Sequence, residues 1–162
     1  MRSSDLRVVP LALAQLDQMI LLRLALAREA KERLDEIDGW PERFVRFFHD
    51  RQLRGESQTF AVFRDDEIVA MATASLVRDY RAHAFREQSG YINALYVRPE
   101  YRRRGLATEL VRAAISWLTK SGCTIVRLRP SKESAALYRA LGFKSSSELE
   151  LRVGGKIGHR SE

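Results

Sequence analysis

The 162-residue sequence predicts an α/β domain in which helices cover a mixed sheet. Three observations carry this prediction. Apolar runs and amphipathic stretches follow one another in the order β-α-α-β-β-β-α-β-α-β. Residues 59–64 and 68–77 flank the charged turn Asp65-Asp66-Glu67 as the arms of a hairpin do. Residues 91–97, 105–120 and 124–129 read as strand, helix and strand, a β-α-β unit with a right-handed crossover.

The elements follow in chain order. Leu6 to Val9 is a short strand closed by Pro10. Residues 12–37 read as one helix, with Leu13, Leu16, Ile20, Leu24 and Ala27 on one face and Leu21, Leu22 and Leu26 widening it. Gly39 stops it. Pro41 suits the first turn of a second helix, 41–54, whose buried side would be Phe44, Phe47, Phe48 and Leu53. After the hairpin, residues 78–89 form a polar excursion with His83 and Phe85. Strand 91–97 ends before Pro99. The clearest helix is 105–120, where Leu106, Leu110, Ala113, Ala114, Trp117 and Leu118 make an amphipathic stripe. Strand 124–129 follows, then a helix introduced by Ser131 that carries Ser134, Leu137, Tyr138 and Leu141. Residues 149–153 are a final strand candidate.

Composition bounds the function. Apolar residues are 45% and charged residues 30%, a balance of neither a disordered nor a fibrous chain. The expectation is a single domain over 1–162, with its core at about 6–153. Twenty-eight Lys and Arg against 21 Asp and Glu give +7, which favours an anionic partner: a phosphate-bearing cofactor, an acidic substrate or nucleic acid. Cys123 is the sole cysteine, so no intrachain disulfide forms and a reducing compartment is expected. With three scattered histidines, no His/Cys zinc site is expected. Arg23 interrupts the most apolar early stretch, Met19 to Ala27, and Asp5 and Asp17 spoil a signal-peptide pattern. The expectation is a soluble cytoplasmic chain with no membrane partner.

The sharpest local feature is Arg102-Arg103-Arg104-Gly105-Leu106-Ala107, set between a strand and a strong helix. A helix start offers unpaired N–H groups and the positive end of the dipole. Gly105 and Ala107 are small where an anion would approach the backbone, and three arginines raise the local potential. A pyrophosphate cradle follows from this physics. A simple turn with a solvated arginine run accounts for the same residues. The segment is neither a Walker A loop nor a three-glycine dinucleotide fingerprint.

Residues 95–107, Leu95-Tyr96-Val97-Arg98-Pro99-Glu100-Tyr101 followed by that turn, resemble the acetyl-CoA motif of the GNAT superfamily of N-acetyltransferases. The family pattern Gln/Arg-x-x-Gly-x-Gly/Ala falls on Arg102, Gly105 and Ala107. A second resemblance, to Leu-Tyr-x-x-x-Gly-Phe, lies at Leu137 to Phe143. The element order is similar across residues 6–153. The resemblance implies an acyl-CoA N-acyltransferase-like fold, with a mixed, mostly antiparallel central sheet and helices on both faces. It implies acetyl-CoA as cosubstrate. The backbone around Arg103, Arg104, Gly105, Leu106, Ala107 and Thr108 would hold the pyrophosphate. Pantetheine would pair with Leu95, Tyr96 and Val97 in a split between that strand and the one beginning near Thr124. An amide there, such as that of Leu95, would polarise the thioester carbonyl, because attack by an amine places negative charge on that oxygen.

Tyr138 matches the family tyrosine assigned as general acid toward the departing thiolate; read alone, it is a packed helix tyrosine. Ser131 stands where relatives often carry Asn, and Ser134 where they usually carry Ala; a serine there can still cap the helix or meet a pantetheine carbonyl, with a shorter reach than Asn. Where several relatives carry a catalytic Glu on the central strand, this chain has Tyr91-Ile92-Asn93-Ala94. Asn93 cannot take a proton at neutral pH but could orient a relaying water. Glu29, Glu36, Glu87 and His83 are other base candidates, each equally read as a solvated group. Glu29, Glu32, Asp35, Glu36 and Asp38 could attract a cationic amine, or simply pair with Arg28, Lys31 and Arg33. The expected activity is transfer of acetyl from acetyl-CoA to a primary amine of a small molecule or peptide. A non-catalytic acyl-CoA-binding regulatory module is the alternative. No nucleic-acid-binding signature accompanies the arginines, so nucleic acid is the disfavoured partner. The resemblance admits a homodimer; no motif carries it.

Overall fold

The computed structural model describes residues 6–153. Its five strands lie in sequence order: β1 (Val8–Pro10), β2 (Ser57–Arg64), β3 (Glu67–Val77), β4 (Gln88–Val97) and β5 (Cys123–Leu128). The first three pairings are antiparallel and the last, β4 with β5, is parallel. The expected mixed, mostly antiparallel sheet is therefore present.

A short 3-10 turn, Leu13–Gln18, leads into α1 (Met19–Glu29), and α2 spans Trp40–Leu53. These cover one face. Leu11, Leu16, Met19, Leu22 and Phe48 pack there on Ala61, Ile68, Met71 and Tyr96. The other face belongs to α4 (Leu106–Lys120), whose Leu106, Leu110, Val111, Ala114 and Leu118 bury against Val62, Ala70, Ala72, Ala74, Ile92 and Val97. Each fully buried leucine contributes about 1.5–3 kcal/mol. The helix α3 (Tyr80–Ala84) interrupts the β3–β4 excursion, and Asp79 caps it through Arg81 and Ala82 N–H. The short α5 (Ala135–Ala140) follows β5 and adds Tyr138 to the α4-side core.

Three expectations need correction. The 12–37 helix stops at Glu29: Lys31 takes φ +56°, and the N–H of Glu32 folds back to the Ala27 carbonyl at 2.8 Å. Apolar spacing does not register such a left-handed break. On α2, Phe48 is buried, but Phe47 and Leu53 are 53% and 66% exposed, and Trp40 supplies buried area instead. Residues 149–153 form no strand among the described residues. Glu150 pairs with Arg129 just beyond β5 and with Arg152, while Leu149, Leu151 and Val153 face solvent. Among the described residues, no helix is long and apolar enough to cross a membrane.

Candidate active site

The site is built where β4 ends. β4 is parallel to β5 from Gln88↔Cys123 to Ile92↔Leu128, and no pairing continues beyond. Residues 93–97 thus have no β5 partner, and the two strands split toward their C-terminal ends. On its other side β4 is bulged. Met71 pairs with Tyr96 and Thr73 with Asn93, so Ala94 and Leu95 together oppose only Ala72. Ala94 takes φ +54° to make the bulge. A bulge leaves local N–H and C=O groups out of the ladder, which suits a strand that must offer backbone to a ligand.

Directly beyond β4, a 3-10 turn at Pro99–Tyr101 delivers the arginine turn. Arg103 (φ +63°) and Gly105 (φ +80°) are both left-handed. Such turns arrange successive amides around a concavity that takes anions. Gly105 is the N-cap of α4, and the first helical N–H with an acceptor is Glu109, bonded to the Gly105 carbonyl at 3.1 Å. The amides of Arg103 to Thr108 have no backbone acceptor among the described residues. The glycine is needed for its backbone conformation, since an added Cβ would meet nothing within 4 Å.

The three arginines differ. Arg102 turns inward: its Nε donates to the Val97 carbonyl at 2.8 Å, and its terminal nitrogen meets both Glu29 oxygens at 2.7 and 2.9 Å. Arg104 donates to the Glu100 carbonyl at 3.2 Å and stacks on Tyr101. Arg103 has no side-chain partner among the described residues and is the cation left for a phosphate.

Tyr138 lies on α5, 6% exposed and edge-on to Phe143 with centroids 5.7 Å apart. Burial pushes its hydroxyl up to about 12, only partly opposed by a hydrogen bond with Ser134. It stays protonated and able to donate. Tyr138 also lines a groove of about 480 Å³ beside β5, with Tyr91, Leu128 and Phe143 in the wall. Ser131 and Ser134 cap one another before α5: their hydroxyls are 2.9 Å apart, and Ser131 N–H donates to Ser134 Oγ at 2.9 Å. On β4, Asn93 faces Thr73, and its Oδ1 is buried with no partner among the described residues. That orphaned acceptor is a docking point for a water or an N–H.

The remaining base candidates disperse. Glu29 is held by Arg102 and by the Tyr96 hydroxyl at 2.9 Å. Glu36 pairs with Arg33 at 2.6 Å, and Glu87 with Arg81. His83 sits on α3, which precedes the start of β4, at the opposite end of that strand from the arginine turn. Cys123 is buried at the start of β5, and burial raises its thiol pKa, the state of a packing residue rather than a nucleophile. Asp35 and Asp38 are exposed and carry no ion pair among the described residues. The sequence could not reveal that Glu29 belongs beside the arginine turn, because 73 residues separate it from Arg102.

The model of the acetyltransferase (GNAT) family matches residues 24–143. The chain belongs to that family. The match takes in the split, the arginine turn and Tyr138 together. An aminoglycoside N(6')-acetyltransferase type 1 of Acinetobacter haemolyticus is 30% identical over 90 residues, 54% of this chain and 62% of that protein. The namesake enzyme of Acinetobacter baumannii is 26% identical over 151 residues, 89% of this GNAT chain and 94% of that protein. A GCN5-related N-acetyltransferase structure from Ralstonia eutropha superposes with a TM-score of 0.80 over 93% of this chain and 99% of that one, at 21% identity. At that identity the likeness establishes the fold.

Proposed function

We propose that this GNAT chain is an acetyl-CoA-dependent N-acetyltransferase that acetylates a primary amine by direct attack. One observation carries the reading: the parallel pair β4–β5 parts after Ile92 and Leu128, and the open amides of Arg103 to Thr108 stand just beyond the parted end. When bound there, acetyl-CoA supplies an acetyl thioester, whose carbonyl carbon bonds to the amine nitrogen as its C–S bond breaks. The arginine turn and the first turn of α4 hold the diphosphate, with Arg103 as the free cation. Leu95, Tyr96 and Val97 offer backbone to the pantetheine arm, and the Leu95 N–H donates to the carbonyl oxygen as it gains charge. Tyr138 donates its proton to the departing sulfur. Asn93 Oδ1 orients a water that takes the proton leaving the amine. Ser131 and Ser134 flank the cofactor arm at the start of α5.

The acceptor is read as a small cationic amine. Relatives that match are named for acetylating aminoglycosides, and Asp35 and Asp38 are free carboxylates on the connection after α1. The proposal extends to a cytoplasmic placement and to a homodimer, the latter supported by the open edge of β5 and the exposed apolar row beside it.

The test is thiol release from acetyl-CoA with a panel of amines, beside CoA binding by calorimetry. CoA binding with amine-dependent thiol release is expected. CoA binding with no release for any amine would favour an acyl-CoA-binding regulatory module, and absence of CoA binding would overturn the reading.

A further inference from the structure

Glu29 is the last residue of α1, on the helix that covers the face of the sheet opposite α4. Its carboxylate gathers three parts of the molecule. Oε1 accepts from the Tyr96 hydroxyl at 2.9 Å and from Arg102 at 2.7 Å, and Oε2 accepts from Arg102 at 2.9 Å. The same guanidinium donates through Nε to the Val97 carbonyl at 2.8 Å and lies over the Tyr96 ring, 5.5 Å from its centroid. Tyr96 itself is buried at 6% exposure in the core beneath α1. The Arg102 fork is therefore fixed on both sides, by a carboxylate from α1 and by the last carbonyl of β4. One residue later the backbone turns left-handed. The groups facing the carboxylate are Arg102 and Tyr96, and the Tyr96 hydroxyl pKa is raised mainly by burial, then by the bond to Glu29.

We propose that Glu29 is a positioning residue for the cofactor turn: acting through Arg102 and Tyr96, it holds residues 102–105 in the form whose amides receive the CoA diphosphate. This rests on the reading that the turn binds CoA. In this role Glu29 acts through Arg102 and Tyr96 rather than on the diphosphate or the amine. It sets the turn before the ligand arrives, so the ordering cost is met in folding rather than in binding.

The sign of one measurement separates this role from plain electrostatics. Neutralising Glu29 adds a net positive charge beside an anion site and releases Arg102. Charge alone therefore predicts tighter CoA binding. Positioning predicts weaker binding, because the turn loses its brace.

The experiment is calorimetric titration of CoA, which does not react, into wild type, Glu29→Gln and Tyr96→Phe, with thermal unfolding of each. For Glu29→Gln the expected Kd rises about tenfold, the scale of one partly exposed charge-assisted pair. Tyr96→Phe, which removes one strut, weakens binding in the same direction by about two- to threefold. In turnover, Glu29→Gln raises KM for acetyl-CoA more than it lowers kcat, a split that general loss of folded protein does not produce. A Kd unchanged or lowered in Glu29→Gln overturns the inference while leaving the functional reading intact. Failure of wild type to bind CoA overturns both. If Glu29→Gln does not fold, a Tyr96→Phe protein with wild-type Kd overturns the inference on its own.

Discussion

Burial keeps the Tyr138 hydroxyl protonated throughout the ordinary working range, and two consequences follow. In catalysis, Tyr138→Phe removes the proposed proton donor without removing the ring from the core. Its kcat is expected to fall about 10- to 100-fold while the Kd for CoA stays within about twofold. In stability, the folded pKa of about 12 exceeds the unfolded value near 10. The folded state therefore retains a proton that the unfolded state gives up, and the contribution is complete below pH 10. It declines as pH rises from 10 through 12, by up to about 2–3 kcal/mol. Urea midpoints between pH 8 and pH 11.5 are expected to drop more for wild type than for Tyr138→Phe; parallel curves would refute this. Gly105 makes a second residue-scale case. At φ +80°, Gly105→Ala costs about 1–2 kcal/mol from the backbone alone, since no protein atom opposes the methyl group. Its urea midpoint is expected to fall accordingly, and its affinity for CoA with it.

Packing of α4 on β4 turns on a close approach that its sequence periodicity conceals. A Cβ on Gly90 would lie 2.5 Å from one Leu118 methyl and 2.9 Å from the other, and Leu118 is fully buried. Gly90→Ala is expected to cost about 1–3 kcal/mol by overpacking. Adding Leu118→Ala to it should be less damaging than the sum of the single losses, because the smaller side chain vacates the contested space. A double-mutant cycle in urea checks this, and simple additivity would contradict it. The same elements mark how far the sequence could be read. α4, the hairpin and the turn before Leu106 were legible because each has a local signature: a 3.6 period, a charged two-strand turn, an arginine run ahead of a glycine. The bulge at Ala94 was not, since alanine carries no sign of a left-handed φ. The end of α1 was hidden because the apolar spacing runs on past it and Lys31 is an unremarkable residue for a break. Asn93 could be named from its position on β4, but neither its pairing with Thr73 nor its buried, partnerless Oδ1 could. Long-range pairings of that kind leave no trace in spacing.

At the scale of the whole molecule, the two ends of the sheet are managed differently. β1 is three residues long and ends in Pro10, which blunts that edge. β5 is six residues long, and its outer edge is not paired with any described strand. Beside it, residues 148–153 alternate strictly. Glu148 reaches Arg127 at 3.1 Å, Glu150 pairs with Arg129 and Arg152, and the intervening Leu149, Leu151 and Val153 are 99%, 83% and 86% exposed. The alternation that suggested a strand is real, but its apolar row meets no described partner. Side chains rather than a backbone ladder tie the segment to β5 and to Arg129 just after it. A second copy fits this arrangement, because a two-fold axis would set one copy's alternating segment against the other's and let each apolar row cover its mate. The proposed homodimer is therefore expected to depend on that row. Light scattering should give twice the 18.6 kDa chain mass for wild type and the monomer mass for a Leu149→Lys, Leu151→Lys double variant. Both positions are exposed, so the monomer should unfold with a midpoint that no longer depends on protein concentration, whereas the dimer's rises with it. A wild type that is monomeric at millimolar concentration, or a double variant that remains dimeric, would remove the assembly from this face.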